Sequence, residues 1–146
     1  MVNETMRKFG YPETLIRKYD QWVVLLRPAQ VTLGSLVLAA KSDATAFGQL
    51  PPEAHAELAT VTKEVEATLA KEVSYQRINY LMLMMVDPNV HFHIFPRHEG
   101  SREFEGVALD DKGWPGPPDL KSPQDLPAEA FQRLRQRFMQ NWLITH

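Results

Sequence analysis

Two imidazoles set the chemical question. His91 and His93 stand one residue apart in the stretch DPNVHFHIFPRH, which also holds His98 and so carries three of the chain's five histidines. Val90, Phe92 and Ile94 alternate with them. In an extended strand Asn89, His91, His93 and Phe95 therefore share one face, and the apolar residues share the other. Cα atoms two apart on a strand lie about 6.6 Å from each other, so both rings can meet one small group. An imidazole with an ordinary pKa of about 6.5 is largely neutral at pH 7. Such a ring can attack an electrophilic phosphorus and form a covalent intermediate. A second ring on the same face can stabilise phosphoryl oxygens or protonate the leaving group. Two other uses of the pair stay open: a His-x-His metal site and ligand binding without turnover. The metal site needs a further ligand, for which only Asp87, His98, Glu99 and Glu103 lie nearby. The expectation is no metal and no other cofactor. Against all of these stands the plain alternative of two half-exposed histidines on an open sheet face.

Composition narrows the field. With 146 residues, 44% of them hydrophobic and 23% charged, the chain fits a single globular domain spanning 1–146. Sixteen Lys and Arg against eighteen Asp and Glu give a net charge of -2, which does not favour general nucleic-acid binding. Cysteine is absent, which excludes disulfides, thiolate metal sites and Cys nucleophiles. The N-terminal MVNETMRKFGYPETL has no signal-peptide core, and no apolar run reaches the length of a membrane span. The expectation is a cytoplasmic protein that binds neither membrane nor nucleic acid.

The elements that must position the histidines read as follows. LIRKYDQWVVLLRP gives two extended runs joined at Asp20-Gln21, and VTLGSLVLAA gives another, interrupted at Gly34-Ser35. SDATAFGQ reads as a turn or a single helical turn. Ala54, Leu58, Val61, Val65 and Leu69 then form a helical stripe, with Pro51 and Pro52 suited to its first turn. His55, one position off that stripe, reads as solvated. INYLMLMMV reads as a strand covered on both faces, with Met82, Met84 and Met85 in the core. Asp87-Pro88-Asn89 is a turn signal that joins this run to VHFHIF as a hairpin. In that hairpin Asn79 shares the histidine face if the pairing keeps equal parity, as when Leu83 opposes His93 and Met85 opposes His91. GWPGPPDLKSP reads as loop, so 98–146 is loop plus a C-terminal helix over 127–143, with Phe131, Leu134, Phe138 and Trp142 on one stripe. The whole is α+β: a mainly antiparallel five-stranded sheet with a central and a C-terminal helix.

In this order of elements, NVHFHIFPR resembles the signature of the histidine triad (HIT) superfamily, His-x-His-x-His followed by apolar residues and often Pro-Arg. The upstream INY, the run VTLGSLVLAAK and the helix LPPEAHAELATVTKEVEATL support the resemblance, which covers residues 14 to 97. It implies that His91 is the nucleophile toward the α-phosphorus of a nucleotide, that His93 contacts the phosphate, and that Asn79 helps hold phosphate and base-side geometry. It further implies a homodimer and a nucleotide or nucleotidyl-conjugate substrate, with hydrolysis or nucleotidyl transfer as the reaction. The chain departs from the pattern in that Asn89 occupies the first histidine's position, although its backbone carbonyl can still orient the second. Ser35 replaces the histidine of the early Gly-His, and the ribose-holding Asp has no counterpart around Leu25 to Arg27. Ser35 and Gln30 remain candidate hydrogen-bond donors to substrate, Arg97 a candidate partner for a phosphate, and Trp114 a candidate cover for a base. A fold that kept binding and lost turnover is the alternative these departures raise.

Overall fold

A computed structural model describes residues 2–145. A short helix, α1 (Glu4–Lys8), opens the chain. The Asn3 Oδ1 caps it by accepting from the Met6 N–H at 2.9 Å, and Glu4 and Lys8 suit the two ends of its dipole. Then come β1 (Leu15–Lys18), β2 (Trp22–Leu26), β3 (Leu36–Ala40), a 3₁₀ turn at Phe47–Gln49 and the long helix α2 (Pro52–Val73). They are followed by β4 (Arg77–Leu81), β5 (His91–Arg97), β6 (Ser101–Phe104), β7 (Val107–Asp110) and α3 (Ala128–Asn141). Five strands form one antiparallel sheet in the order β1-β2-β3-β5-β4.

The period-2 pattern of β5 divides the sheet into its two faces. Ile94 and Phe92 point to the side where α2 and α3 bring Val61, Val65, Leu69, Leu134 and Phe138. The opposite face carries His91 and His93 beside Val37, Ala39, Val23 and Leu25, and Met6, Phe9 and Tyr11 from the N-terminal segment pack over it. Just before β3, Gly34 adopts φ +89°, and a Cβ there would stand 2.9 Å from the Val73 side chain. Only glycine lets that turn approach α2 so closely.

Two expectations are corrected. INYLMLMMV is not strand throughout: β4 stops at Leu81. It is the edge strand, with a neighbour on one side only, and beyond Leu81 the chain leaves the sheet through a loop over 82–90. Met84 there takes φ 53°, while Leu83, Met85 and Val86 are 48%, 84% and 82% exposed. The methionines are therefore not a core cluster; only Met82 and Met84 pack partly against the core. Second, 98–146 is more than loop and helix, because β6 and β7 form a hairpin closed by Glu105-Gly106, both at positive φ. The β4–β5 pairing keeps the required parity but is displaced by two residues: Leu81, rather than Leu83, opposes His93, and Asn79 opposes Phe95. No helix among the described residues is long and apolar enough to cross a membrane.

Candidate functional site

His91 lies in β5 opposite Ala39 of β3, only 2% exposed. Its Nδ1 is 2.7 Å from the Asn89 backbone carbonyl, two residues back in the loop that leads into the strand. A carbonyl only accepts, so the hydrogen bond places the proton on Nδ1. In the neutral ring that leaves the lone pair on Nε2, the arrangement a nucleophilic imidazole requires.

His93, opposite Val37 on one side and Leu81 on the other, is set the other way round. The Arg27 Nε donates to its Nδ1 at 3.3 Å, so the neutral ring carries its proton on Nε2 and presents a donor there. Burial, then the Arg27 charge, then His91 pull the His93 pKa down to about 4. The His91 and His93 rings meet edge to face at 5.0 Å. One nitrogen with a lone pair and one N–H donor therefore stand side by side in an apolar setting. Phe9 of the N-terminal segment closes over both, its ring centroid 5.6 Å from His91 and 5.5 Å from His93. Below, Phe95 stacks on His93 at 6.2 Å and 8° and carries the Arg27 guanidinium 5.7 Å from its own centroid.

The side chain of Asn89 has a different task from its carbonyl. Its Oδ1 accepts from the Thr5 N–H at 3.2 Å and its Nδ2 donates to the Asp43 carbonyl at 3.1 Å. The Asn89 N–H donates to Thr5 Oγ1 at 3.0 Å. This residue thus docks α1 onto the sheet, and α1 brings Phe9 over the imidazoles.

Ser35 and Gln30 are both fully buried and organise the loop between β2 and β3. The Ser35 hydroxyl donates to the Thr32 carbonyl and accepts from the Thr32 N–H. The Gln30 amide bonds the Gly34 and Ser35 N–H groups and the Arg27 and Ser35 carbonyls. Their polar groups are consumed within this loop, and the outcome of that order is the placement of Arg27.

Asn79, Arg97 and Trp114 come together at the far end of the same sheet face. Arg97 is 3% exposed; its Nε and Nη2 reach the two Asp111 carboxylate oxygens at 2.6 and 3.0 Å. Its Nη1 donates to Asn79 Oδ1 at 2.7 Å and its Nη2 to the Gly116 carbonyl at 2.8 Å. A cavity of about 550 Å³ opens there, lined by Arg77, Asn79, Arg97, Trp114 and the segment Pro115–Pro117. Arg97 is thus neither a surface arginine nor an unpaired one: it holds the Trp114 loop on the sheet. Sequence reasoning missed Phe9, Arg27 and Asp111. Asn3 before ETMRK is a capping signal that could have revealed α1; Arg27 lies at the end of the stretch Leu25 to Arg27, which holds no counterpart of the ribose-holding Asp. Among the described residues no group of three or more His, Cys, Asp or Glu is placed to hold a metal ion.

No protein-family model matches the sequence, and no curated protein matches it. Solved structures do resemble it. A histidine triad protein from Sinorhizobium meliloti 1021 aligns with a TM-score of 0.75 at 24% identity over 97% of this chain and 96% of its own. One from Bradyrhizobium japonicum aligns with a TM-score of 0.75 at 19% identity over 98% of each chain. A Plasmodium falciparum diadenosine triphosphate hydrolase aligns with a TM-score of 0.63 at 8% identity over 88% of this chain and 76% of its own. The chain has the histidine triad fold.

Proposed function

We propose that this chain, built on the histidine triad fold, acts on nucleotides at the α-phosphorus, as a nucleotide hydrolase or nucleotidyl transferase with His91 as the nucleophile. The observation that carries the reading is the 2.7 Å bond between His91 Nδ1 and the Asn89 carbonyl, which leaves Nε2 free to attack. The Plasmodium neighbour, a diadenosine triphosphate hydrolase, is consistent with it. A P–N bond forms at Nε2 as the bond from phosphorus to the leaving group breaks; the leaving group departs with the electron pair and takes a proton from solvent, which the attacking water of the second step returns. The His93 Nε2–H donates to a non-bridging oxygen and offsets the negative charge that develops there. Water then attacks the phosphorus, the P–N bond breaks, and the nucleoside monophosphate leaves. Asn79 and Trp114, lining the neighbouring cavity, are the candidates for contact with the rest of the substrate.

One observation favours a second reading, a nucleotide-binding protein without turnover: His91 is 2% exposed beneath Phe9. Denaturing mass spectrometry after mixing with an adenosine phosphoramidate and quenching in alkali separates the two. An adduct of adenylyl mass that vanishes in His91→Ala supports the nucleophile; ligand binding without adduct or product supports the second reading. The homodimer belongs to this proposal too, and is supported by the free edge of β4 beside exposed Leu83, Met85 and Val86. Sedimentation as a monomer at micromolar concentration would remove it.

A further inference from the structure

We propose that Arg27 is the anion-binding and positioning residue of the histidine site: its Nε holds the His93 tautomer, and its Nη2 takes a non-bridging oxygen of a phosphoryl group lying beside His93. This rests on the phosphorus-directed reading above and specifies the ligand for which that site is built.

Arg27 follows directly on β2, and its backbone N–H donates to the Ser35 carbonyl at 2.9 Å. The buried amide of Gln30 fixes the rest of this loop from inside. The guanidinium is therefore delivered by ordered backbone. Its Nε donates to His93 and its Nη1 to the Ala29 carbonyl at 2.6 Å. Nη2 makes no hydrogen bond among the described residues, and no carboxylate among them lies within ion-pair distance of the group. Arg97 provides the contrast, its guanidinium saturated by Asp111, Asn79 and Gly116. The half-buried guanidinium has two hydrogen bonds and the Phe95 ring but no counterion, and its Nη2 has no protein partner among the described residues. An anionic oxygen supplies the missing partner, in a charge-assisted bond of the stronger kind.

The Nε bond adds direction. Because Arg27 cannot accept, His93 Nδ1 must, and the His93 proton sits on Nε2. Two donors, His93 Nε2–H and Arg27 Nη2–H, then suit a group with two non-bridging oxygens. That description fits phosphate esters, phosphoramidates and phosphoric anhydrides. It does not fit a bare nucleoside or a neutral ester, which would leave the cation unpaired.

Calorimetric titration of the full chain at pH 7 with AMP, and with adenosine as the uncharged control, tests this. AMP is expected to bind far more tightly than adenosine, and Arg27→Gln to weaken AMP roughly 10- to 100-fold, the span of a charged hydrogen bond, while leaving adenosine unchanged. Nitrogen-15 imidazole spectra should show His93 as the Nε2–H tautomer in the wild type and as a mixture in Arg27→Gln. Arg27→Lys, which keeps the charge, should keep AMP binding closer to wild type than Gln does, and it serves if Gln does not fold. Wild-type protein that does not discriminate AMP from adenosine, or an Arg27→Gln variant that folds, binds AMP within twofold of wild type and keeps the tautomer, overturns the proposal. The two readings fail separately. Arg27-dependent AMP binding without any His91 adduct leaves Arg27 assigned and removes the nucleophile. Adduct formation with AMP affinity indifferent to Arg27 does the reverse.

Discussion

Asn89→Ala separates the two tasks that meet at one residue. The substitution keeps the backbone, so the 2.7 Å contact from the Asn89 carbonyl to His91 Nδ1 survives, as does the Asn89 N–H to Thr5 Oγ1 at 3.0 Å. Two side-chain bonds are lost, from the Thr5 N–H at 3.2 Å and to the Asp43 carbonyl at 3.1 Å. Each is worth about 1 kcal/mol net, and leaving buried partners unpaired adds desolvation, so the cost is about 2–4 kcal/mol. Because both bonds tie the sheet to neighbouring segments, and one ties it to α1, much of that cost falls on the attachment of α1. The remaining attachments include the two bonds from Asn3 Nδ2 to the Ala40 and Ser42 carbonyls. If the full cost falls there, the open population of α1 rises roughly 30- to 1000-fold, at 1.4 kcal/mol per decade. Amide exchange read by NMR should accelerate at Thr5 and Met6 well before it does in β3 or β5. Diethyl pyrocarbonate should modify His91 faster than in wild type, and the His91 tautomer should be unchanged. Exchange at Thr5 within threefold of wild type, together with unchanged His91 modification, would refute the docking role. A lost tautomer would instead show that side chain and carbonyl are not separable.

Three further outcomes follow from buried titratable groups. Glu64 accepts from Tyr19 Oη, the Trp142 indole N–H and the Thr145 N–H and hydroxyl, joining α2, the segment after β1 and the C-terminal end. Burial raises its pKa, but these bonds outweigh it and hold the carboxyl below its usual range. Its stabilisation is therefore present above the unfolded pKa of about 4.3 and lost as pH falls through the lower folded value. Glu64→Gln should cost about 1–3 kcal/mol in urea unfolding at pH 7, with the gap narrowing in acid. For His93 the sign works through the neutral form: with a folded pKa of about 4 against 6.5 free, the unfolded chain binds the proton first. Stability should therefore fall from pH 6.5 toward pH 4 by up to about 3 kcal/mol. The groups around this ring are Arg27, His91, Phe9 and Phe95, and His93→Asn should flatten that part of the unfolding profile. Asp111→Asn removes one charge of a buried bidentate pair and should cost about 3–5 kcal/mol, read by thermal unfolding. A Trp114 emission maximum unmoved in that folded variant would argue against Arg97–Asp111 holding the loop.

The parts of the fold that were legible are those in which one period dominates. From Val90 into β5, Val90, Phe92 and Ile94 alternate with polar and aromatic partners, and in α2 the run from Ala54 to Leu69 repeats at helical spacing, so each element declares its buried face. The β6–β7 hairpin gives too short a signal: burial alternates along both strands but over only four residues in each, and Glu105 gives little hint of the left-handed turn it makes. In α1, five residues are too few to show a period, and the helix persists because Asn3, Thr5 and Asn89 fasten it. Apolar content misleads at Leu83 to Val86, where the run continues past the last residue that has a strand partner. For the site, the imidazole face could be read from alternation alone. The tautomers could not, since one depends on a carbonyl geometry and the other on an arginine 66 residues away in sequence.

That difference explains how the chain, with asparagine at position 89, still holds the His91 proton on Nδ1 and leaves the lone pair on Nε2. What His91 requires from position 89 is a backbone carbonyl at the right distance, and every residue type has one. The side chain at 89 is then free for other work, and here an amide suits it because it both accepts from Thr5 and donates to Asp43. A histidine could offer one acceptor and one donor as well, but on a rigid ring of different reach. Docking α1 has a chemical consequence. It puts Phe9 against both imidazoles, and burial there is the largest cause of His93 remaining neutral. The same closure that keeps His93 a neutral donor restricts access to His91. On the proposal above, a phosphoryl group that engages Arg27, which has no counterion among the described residues, gains binding free energy to offset the cost of entering beside Phe9.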